Sequence, residues 1–141
     1  MKLLKMLSED GRVSFSEMAE EIGLSTSGAR RRIMQLEENG IIKGYTAKID
    51  FEKAGYEVAA FLNIDVNSGE ERRVAGILSR CKDVCEVHRT TGNHSLVAKV
   101  RAEDLESINK FVDERVSTYN GVKSVSTTMA MKTYKEELPS L

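Results

Sequence analysis

The sequence predicts an α+β protein of two small domains, an N-terminal winged helix-turn-helix followed by a C-terminal ferredoxin-like βαββαβ domain. Its length of 141 residues suits one ordinary domain or two small ones. Up to Gly40, apolar residues recur at helical spacing and single glycines interrupt them. From Val58 onward, strand-type and helix-type segments follow in the order β-α-β-β-α-β, which is the split βαβ arrangement.

Three helices are predicted in the N-terminal domain. Residues 2–7 carry leucines at helical spacing and form the end of a first helix, which Gly11 closes. Serine caps and glycine stops mark the other two helices. The second helix is predicted to begin after the cap Ser16, to span Glu17–Ile22 and to end at Gly23. The third is predicted to begin after the cap Ser25, to span residues 26–39 and to end at the Asn39-Gly40 turn.

A short wing and a second domain follow these helices. Residues 41–49 alternate weakly and predict a short hairpin or wing, whereas residues 50–57 have no strong periodicity. The predicted boundaries are therefore 1–50, a linker at 51–57, and 58–141. The predicted strands of the second domain are Val58–Val66, Val84–Thr91, Leu96–Ala102 and Val122–Tyr134, and its helices are Glu70–Arg80 and a segment marked by Leu105, Ile108, Phe111, Val112 and Val116.

The composition indicates a soluble protein of a reducing compartment. Charged residues make up 30% of the chain and apolar residues 40%, which is ordinary for a globular domain. No apolar run approaches the roughly 18 residues needed to cross a bilayer, and the N terminus lacks the pattern of a signal peptide. Two cysteines are too few for a disulfide framework. We therefore expect a cytoplasmic protein.

Positive charge is concentrated in one short segment, although the formal net charge of the chain is −1. Residues 8–24 carry five acidic side chains and one basic, whereas residues 25–48 carry five basic and two acidic. A local basic segment of this kind is the electrostatic signature of phosphate binding. The third predicted helix lies inside it.

The periodicity of the third helix predicts which of its faces is free to contact DNA. Ala29, Ile33 and Leu36 share one side and should pack inward. Ser27, Arg30, Arg31 and Met34 then point away from the core, where an arginine can bridge O6 and N7 of guanine in the major groove. Serines and Thr26 at the helix start favour phosphate, and Arg32, Lys43 and Tyr45 should track the backbone. The predicted DNA-contacting residues are Ser16, Ser25, Thr26, Ser27, Arg30, Arg31, Arg32, Met34, Gln35, Lys43 and Tyr45.

An alternative interpretation is that Arg30–Arg32 form a solvated face that offsets Glu37 and Glu38. The helix, glycine turn and second helix that contain the arginines have the spacing of a helix-turn-helix. That spacing, with the wing after it, favours DNA contact.

The first predicted strand suggests self-association. Its residues Val58, Ala60, Leu62, Ile64 and Val66 form one apolar face for helices to cover. Ala59 and Phe61 lie on the opposite face, to which Val97 of a later strand adds. Apolar residues on both faces imply burial on both sides, and the simplest cover is a second copy of the chain. Scattered surface apolar residues are the alternative.

Neither a metal site nor an enzyme site is predicted. Cys81, Cys85, His88 and His94 have a spacing that suggests zinc, but Cys81 shares a helical face with core residues. Cys85 and His88 are three apart in a strand and should face opposite ways. An enzyme is the main rival class, because ferredoxin-like folds host many activities. No nucleophile–base spacing or phosphate-binding glycine loop is present, and no cofactor is predicted.

Three stretches resemble the Lrp/AsnC family of prokaryotic regulators. They are Glu17-Met-Ala-Glu-Glu-Ile-Gly-Leu-Ser25, Arg31-Arg-Ile-Met-Gln-Leu-Glu37 and Gly40-Ile-Ile-Lys-Gly-Tyr-Thr46. In the second half, Thr91-Gly92 and the Gly121-Val122 strand are similar to the RAM domain of that family. The resemblance implies a transcriptional regulator that forms dimers, which stack into tetramers or octamers. It also implies an effector, such as an amino acid, lodged between dimers.

The loop that helps to hold the effector in that family often reads Gly-Asp-Tyr-Asp, whereas this chain reads Gly92-Asn93-His94-Ser95 and lacks both acids. The resemblance implies effector contacts by Thr91, Gly92, Asn93, His94 and Ser95. A plain hairpin turn is the alternative for this loop. For the whole chain, the alternatives are an effector-independent architectural DNA-binding protein and a stand-alone small-molecule sensor.

Overall fold

The computed structural model describes residues 1–137 and residue 139 and divides the chain into two compact units. The first unit is residues 1–48 with the C-terminal segment from residue 135, and the second is residues 49–134. The segment predicted as a linker, 51–57, therefore belongs to the second unit. Residues 138, 140 and 141, which the predicted second domain included, lie outside the described residues.

Three helices form the first unit: α1 (Lys2–Glu9), α2 (Phe15–Ile22) and α3 (Thr26–Glu38). One side of each helix is apolar, and these sides pack together. The core consists of Leu3, Met18, Ala19, Ala29 and Ile33, with Leu36 and Ile42 partly buried against it. The prediction that Ala29, Ile33 and Leu36 pack inward is confirmed.

The cap of α2 is Ser14, and the prediction of Ser16 was wrong. The Ser14 hydroxyl accepts a hydrogen bond from the Glu17 amide at 3.2 Å, and the Ser14 amide donates to the Glu17 carboxylate at 2.8 Å. This reciprocal capping box requires Glu or Gln three residues after the serine. Ser14 has Glu17 at that position, whereas Ser16 has Ala19.

Gly23 and Gly40 follow α2 and α3 at the positions where the sequence predicts these helices to end, and both are left-handed. The prediction that Gly11 closes α1 in this conformation was wrong, because α1 ends at Glu9 with Asp10 extended and Gly11 has no positive φ. After α2, Gly23 has φ 67° and its amide donates to Glu20, while the next amide, of Leu24, donates to Ala19 at 3.0 Å. After α3, Gly40 has φ 68°, and the amides of residues 40 and 41 donate to residues 37 and 36. Both are Schellman motifs, which satisfy the last carbonyls of a helix and favour glycine.

The segment predicted as a hairpin or wing is irregular, and no hairpin forms within it. Residues 41 and 42 are bends, and residues 43–50 have no regular secondary structure. A strand needs a partner for its backbone groups, and the described residues supply none to this segment. Its first two amides instead donate to the carbonyl of Leu36.

The second unit is a four-stranded antiparallel sheet with helices on one face, which confirms the predicted βαββαβ order. The spatial order of the strands is β2-β3-β1-β4. In chain order the elements are β1 (Val58–Val66), α4 (Glu71–Leu78), β2 (Val84–Arg89), β3 (Leu96–Ala102), α5 (Leu105–Glu114), a 3-10 turn (Val116–Thr118) and β4 (Val122–Met129). Strands β2 and β4 end earlier than predicted.

The core lies between the sheet and its helices. Strand β1 contributes Ala60, Leu62 and Ile64, each with no exposed area. Strand β3 adds Leu96, Ala98, Val100 and Ala102, and helices α4 and α5 add Val74, Leu78, Ile108, Phe111 and Val112. The alternation of β1 thus separates an inner apolar face from an outer face, as predicted.

The prediction that Ala59 lies open on the outer face, for a second copy to cover, was wrong, because the chain itself leaves this side chain only 6% exposed. Ala59 lies opposite Arg101 in the ladder, and Arg101 is itself buried. The Arg101 guanidinium lies 5.1 Å from the ring centre of Phe51, so the segment before β1 covers this end of the face. Phe61 is 39% exposed and Val97 is half-buried.

The capping box gives a testable difference between two neighbouring serines. Replacing Ser14 with alanine removes the hydroxyl that caps α2 and should lower the free energy of unfolding by about 1 kcal/mol. Ser16→Ala is the matched control and should leave it nearly unchanged. Urea unfolding of the full chain, followed by circular dichroism, measures both. Equal effects of the two substitutions would contradict the assignment of the cap.

Candidate functional site

Helix α3 presents its basic side outward. Ala29 and Ile33 are 0% and 1% exposed and bind the helix to the core. Arg30, Arg31 and Arg32 are all exposed, as are the other predicted contact residues of the helix, Thr26, Ser27, Met34 and Gln35. At 100° per residue, Ser27 and Arg31 lie most nearly opposite the buried side, while Arg30 and Arg32 lie on its two flanks.

The three arginines keep their charge free for an external partner. Across residues 1–137 and 139, no carboxylate lies within ion-pair distance of Arg30, Arg31 or Arg32. Arg31 and Arg32 also border an open surface cavity of about 690 Å³, together with Gln35. Unpaired guanidinium groups beside an open surface are suited to phosphate and base edges.

The first turn of α3 is capped by the side chain of Ser25. The Ser25 hydroxyl accepts a hydrogen bond from the Gly28 amide at 3.1 Å and lies 3.1 Å from the Ser27 hydroxyl. A Cβ at Gly28 would come within 3.2 Å of the Ser25 oxygen, so the absence of a side chain there allows the tight cap. The remaining free amides give this end partial positive charge, which attracts phosphate. Ser16 is exposed on α2.

The segment after α3 is attached to the helix by its first two amides, which donate to Leu36, and by the side chain of Tyr45. The Tyr45 hydroxyl donates a hydrogen bond of 2.8 Å to Glu37. Burial, and then this hydrogen bond, raises the pKa of Tyr45. The phenol proton is therefore directed at Glu37 and away from an external phosphate, and the contact holds the segment that carries the exposed Lys43.

The second unit has a compact loop between β2 and β3. The Thr90 amide donates to the carbonyl of Ser95 at 3.2 Å, and the Thr90 hydroxyl donates to the carbonyl of His94 at 2.6 Å. These two bonds close the loop at its base. Thr91, Gly92 and Asn93 are left exposed at its tip.

The loop contacts a carboxylate that sequence reasoning missed. Nδ1 of His94 lies 3.2 Å and 3.3 Å from the two oxygens of Asp65, and the Ser124 hydroxyl donates to Asp65 at 3.0 Å. The hydrogen bond from Ser124, followed by that from His94, lowers the pKa of Asp65. An acid within the apolar strand β1 was the available signal, but its neighbours depend on strand pairing, which the sequence alone does not specify.

The cysteines and histidines do not assemble. Cys81 is buried beside Tyr119 and Arg115, while Cys85 lies at a register shift of β2 and is exposed. His88 lies 3.2 Å from Glu86. Among the described residues, no group of three or more metal-ligating side chains converges. None of the helices in this part of the chain has the length and apolar character needed to cross a bilayer.

Two families match the chain in consecutive segments. Residues 1–43 match the family described as winged helix-turn-helix DNA-binding, and residues 59–139 match the Lrp/AsnC ligand binding domain. A curated relative is the HTH-type transcriptional regulator FL11 of Pyrococcus horikoshii, 37% identical over 98% of this chain and 92% of its own length. Another is the HTH-type transcriptional regulator Ptr1 of Methanocaldococcus jannaschii, 30% identical over 96% and 92%.

Solved structures of transcriptional regulators are also similar to this chain along nearly its whole length. The complex of the transcriptional regulator NMB0573 with L-Met from Neisseria meningitidis has a TM-score of 0.88 at 26% identity, covering 99% of this chain and 92% of that one. The leucine response regulatory protein LrpA of Mycobacterium tuberculosis also has a TM-score of 0.88, at 28% identity over 97% and 93%. The fold and the relatives define a helix-turn-helix transcriptional regulator. More particularly, the chain belongs to the Lrp/AsnC family.

Proposed function

We propose that this regulator reads DNA with the outward face of α3, works as an oligomer and responds to a small molecule at the loop of residues 91–95. The observation that carries the proposal is the exposed, unpaired basic side of α3, opposite the buried Ala29 and Ile33. We place the protein in the cytoplasm and assign it no catalytic activity.

DNA recognition divides into base readout and backbone contact. Ser27 and Arg31 lie at the centre of the outward face and are the proposed groove residues, with Arg30, Met34 and Gln35 beside them. A bidentate arginine–guanine contact discriminates between bases, whereas Arg32, Lys43 and the start of α3 are suited to phosphates. The Tyr45 hydroxyl, which donates to Glu37, helps to hold the Lys43 segment in place.

Oligomerisation would pair two such helices. Phe61 and Val97 on the outer face of the sheet are the proposed contacts between copies; Ala59 is left out because the chain itself buries it. Two recognition helices related by two-fold symmetry read half-sites about 10 bp apart, or a multiple of that spacing.

An effector would act by favouring one of two assembled states. NMB0573, whose structure contains L-Met, is similar to this chain along nearly its whole length, so an amino acid is the first class to consider. Coupling requires that the ligand make different contacts in the two states. The exposed tip of the loop, at residues 91–93, is available for such contacts.

Arg31 tests the proposed base readout. Arg31→Ala should weaken binding to a selected operator by about 1–3 kcal/mol through loss of a base contact, with a smaller loss on random DNA. Arg72→Ala, an exposed arginine on α4, is the control and should bind as the wild type does. Mobility shifts on both DNAs measure the effect. An operator affinity equal to wild type would remove Arg31 from the interface, and equal losses on both DNAs would favour an architectural role.

Lys43 tests the backbone contact. Lys43→Ala should weaken binding to all sequences alike and reduce the slope of log K against log salt by about one, because one fewer counterion is released. Lys110→Ala, an exposed lysine on α5, should leave the slope unchanged. Fluorescence anisotropy over a salt series provides the measurement, and an unaltered slope for Lys43→Ala would exclude this contact.

Phe61 tests the assembly face. Phe61→Glu would place a charge in an apolar contact and should reduce the mass of the oligomer. Phe15, which is equally 39% exposed but lies on α2, provides the matched control Phe15→Glu. Size-exclusion chromatography with light scattering reports the mass. The face would have to be reassigned if Phe61→Glu kept the wild-type mass.

A further inference from the structure

We infer that Asp65 is the carboxylate that binds the ammonium group of an α-amino acid effector, a function that the loop itself lacks the acids to perform. The inference rests on the proposed effector role of residues 91–95 and adds to it one residue from another strand.

Strand pairing brings Asp65 to the loop. The ladder between β1 and β3 ends at Ile64 and Leu96, so the next residue of β1 lies beside Ser95. The amide of Val66, the residue after Asp65, donates to the Ser95 hydroxyl at 3.4 Å. On its other edge, β1 pairs with β4, where Asp65 lies opposite Ser124. Three segments that are distant in sequence thus meet around one carboxylate.

The Asp65 side chain points to the outer face of the sheet. Its neighbours Ile64 and Val66 are buried in the core, and successive strand residues alternate between faces. The carboxylate is 30% exposed and the His94 ring 38%. A ligand at the loop can therefore reach both groups.

Asp65 has capacity for a further donor. An ionised carboxylate accepts about four hydrogen bonds. One oxygen accepts from Ser124 at 3.0 Å and lies 3.2 Å from His94, and the other lies 3.3 Å from His94. The Ser95 backbone amide also donates to the carboxylate, so three donors leave about one of the four positions open. These contacts hold the carboxylate in a fixed orientation and keep it ionised, since they lower its pKa. A fixed, ionised and partly exposed carboxylate is a suitable partner for an ammonium group.

The loop provides complementary groups for the other end of such a ligand. Its exposed tip offers backbone amides, the Thr91 hydroxyl and the Asn93 side-chain amide, and it contains no acid. Hydrogen-bond donors of this kind suit a carboxylate. The positive and negative groups of an α-amino acid would thus find opposite partners, Asp65 on the strand and the loop tip beside it.

The experiment compares each amino acid with its des-amino analogue. Calorimetry on the full-length protein measures L-methionine, L-leucine and L-lysine, each paired with the carboxylic acid that lacks the α-amino group. Wild type should bind at least one amino acid about tenfold or more tightly than its analogue, since the analogue forgoes a charge-assisted hydrogen bond. Asp65→Asn should bring this ratio close to one. Asp113→Asn, an exposed acid on α5, should preserve it.

A purely structural role for Asp65 gives a different result. If the carboxylate only held His94 and the loop, Asp65→Asn would weaken both members of a pair equally and leave their ratio unchanged, which would overturn the inference. Ser124→Ala removes one donor but keeps the carboxylate, so the ratio should persist, and its loss would also count against the inference. Unfolding midpoints of the variants establish that each is folded.

Two further outcomes separate this inference from the proposal on which it rests. A wild-type protein that binds the des-amino acids as tightly as the amino acids would overturn the role of Asp65 and leave the loop as an effector site. Binding of neither class would overturn the effector role of the loop and the inference with it. The proposed DNA contacts of α3 would stand in both cases.

Discussion

The burial of Ala29 and Ile33 is the constraint on which the DNA-binding unit depends. With these two side chains fixed in the core, helix geometry determines the direction of every other residue of α3. The arginines then lie outward without any ion pair inside the described chain to hold them. Packing, rather than the charges themselves, therefore selects the face that we propose contacts DNA. A larger or polar residue at Ala29 would disturb the orientation of the helix as well as its stability.

Much of the fold could be predicted from local sequence. Strands β1 and β3 have the predicted bounds, because apolar alternation begins and ends sharply there. Strands β2 and β4 end before their predicted limits because a strand extends only as far as its partner does. Strand β4 stops at Met129, which pairs with Ala60 near the start of β1. Beyond Arg89, the chain turns back through the bond between Thr90 and Ser95.

The candidate sites show the same division between local and non-local information. The outward arginines follow from helical periodicity, which lies within 13 residues. Asp65 and Ser124 are 59 residues apart in the chain, and only the sheet register makes them neighbours. For Ala59, the local rule of alternation predicted an open position on the outer face. The segment around Phe51, which contacts Arg101 opposite Ala59, covers that end of the sheet, and alternation alone does not reveal this contact.

Strand β1 carries both Asp65 and Phe61 on its outer face, four residues or roughly 13 Å apart along a single extended backbone. If one residue holds the small molecule and the other holds a neighbouring subunit, the two equilibria share a rigid element. Thermodynamic reciprocity then applies. A metabolite that drives subunits together would itself be held more firmly as the protein accumulates, so the sensitivity of the regulator would depend on its own abundance in the cell.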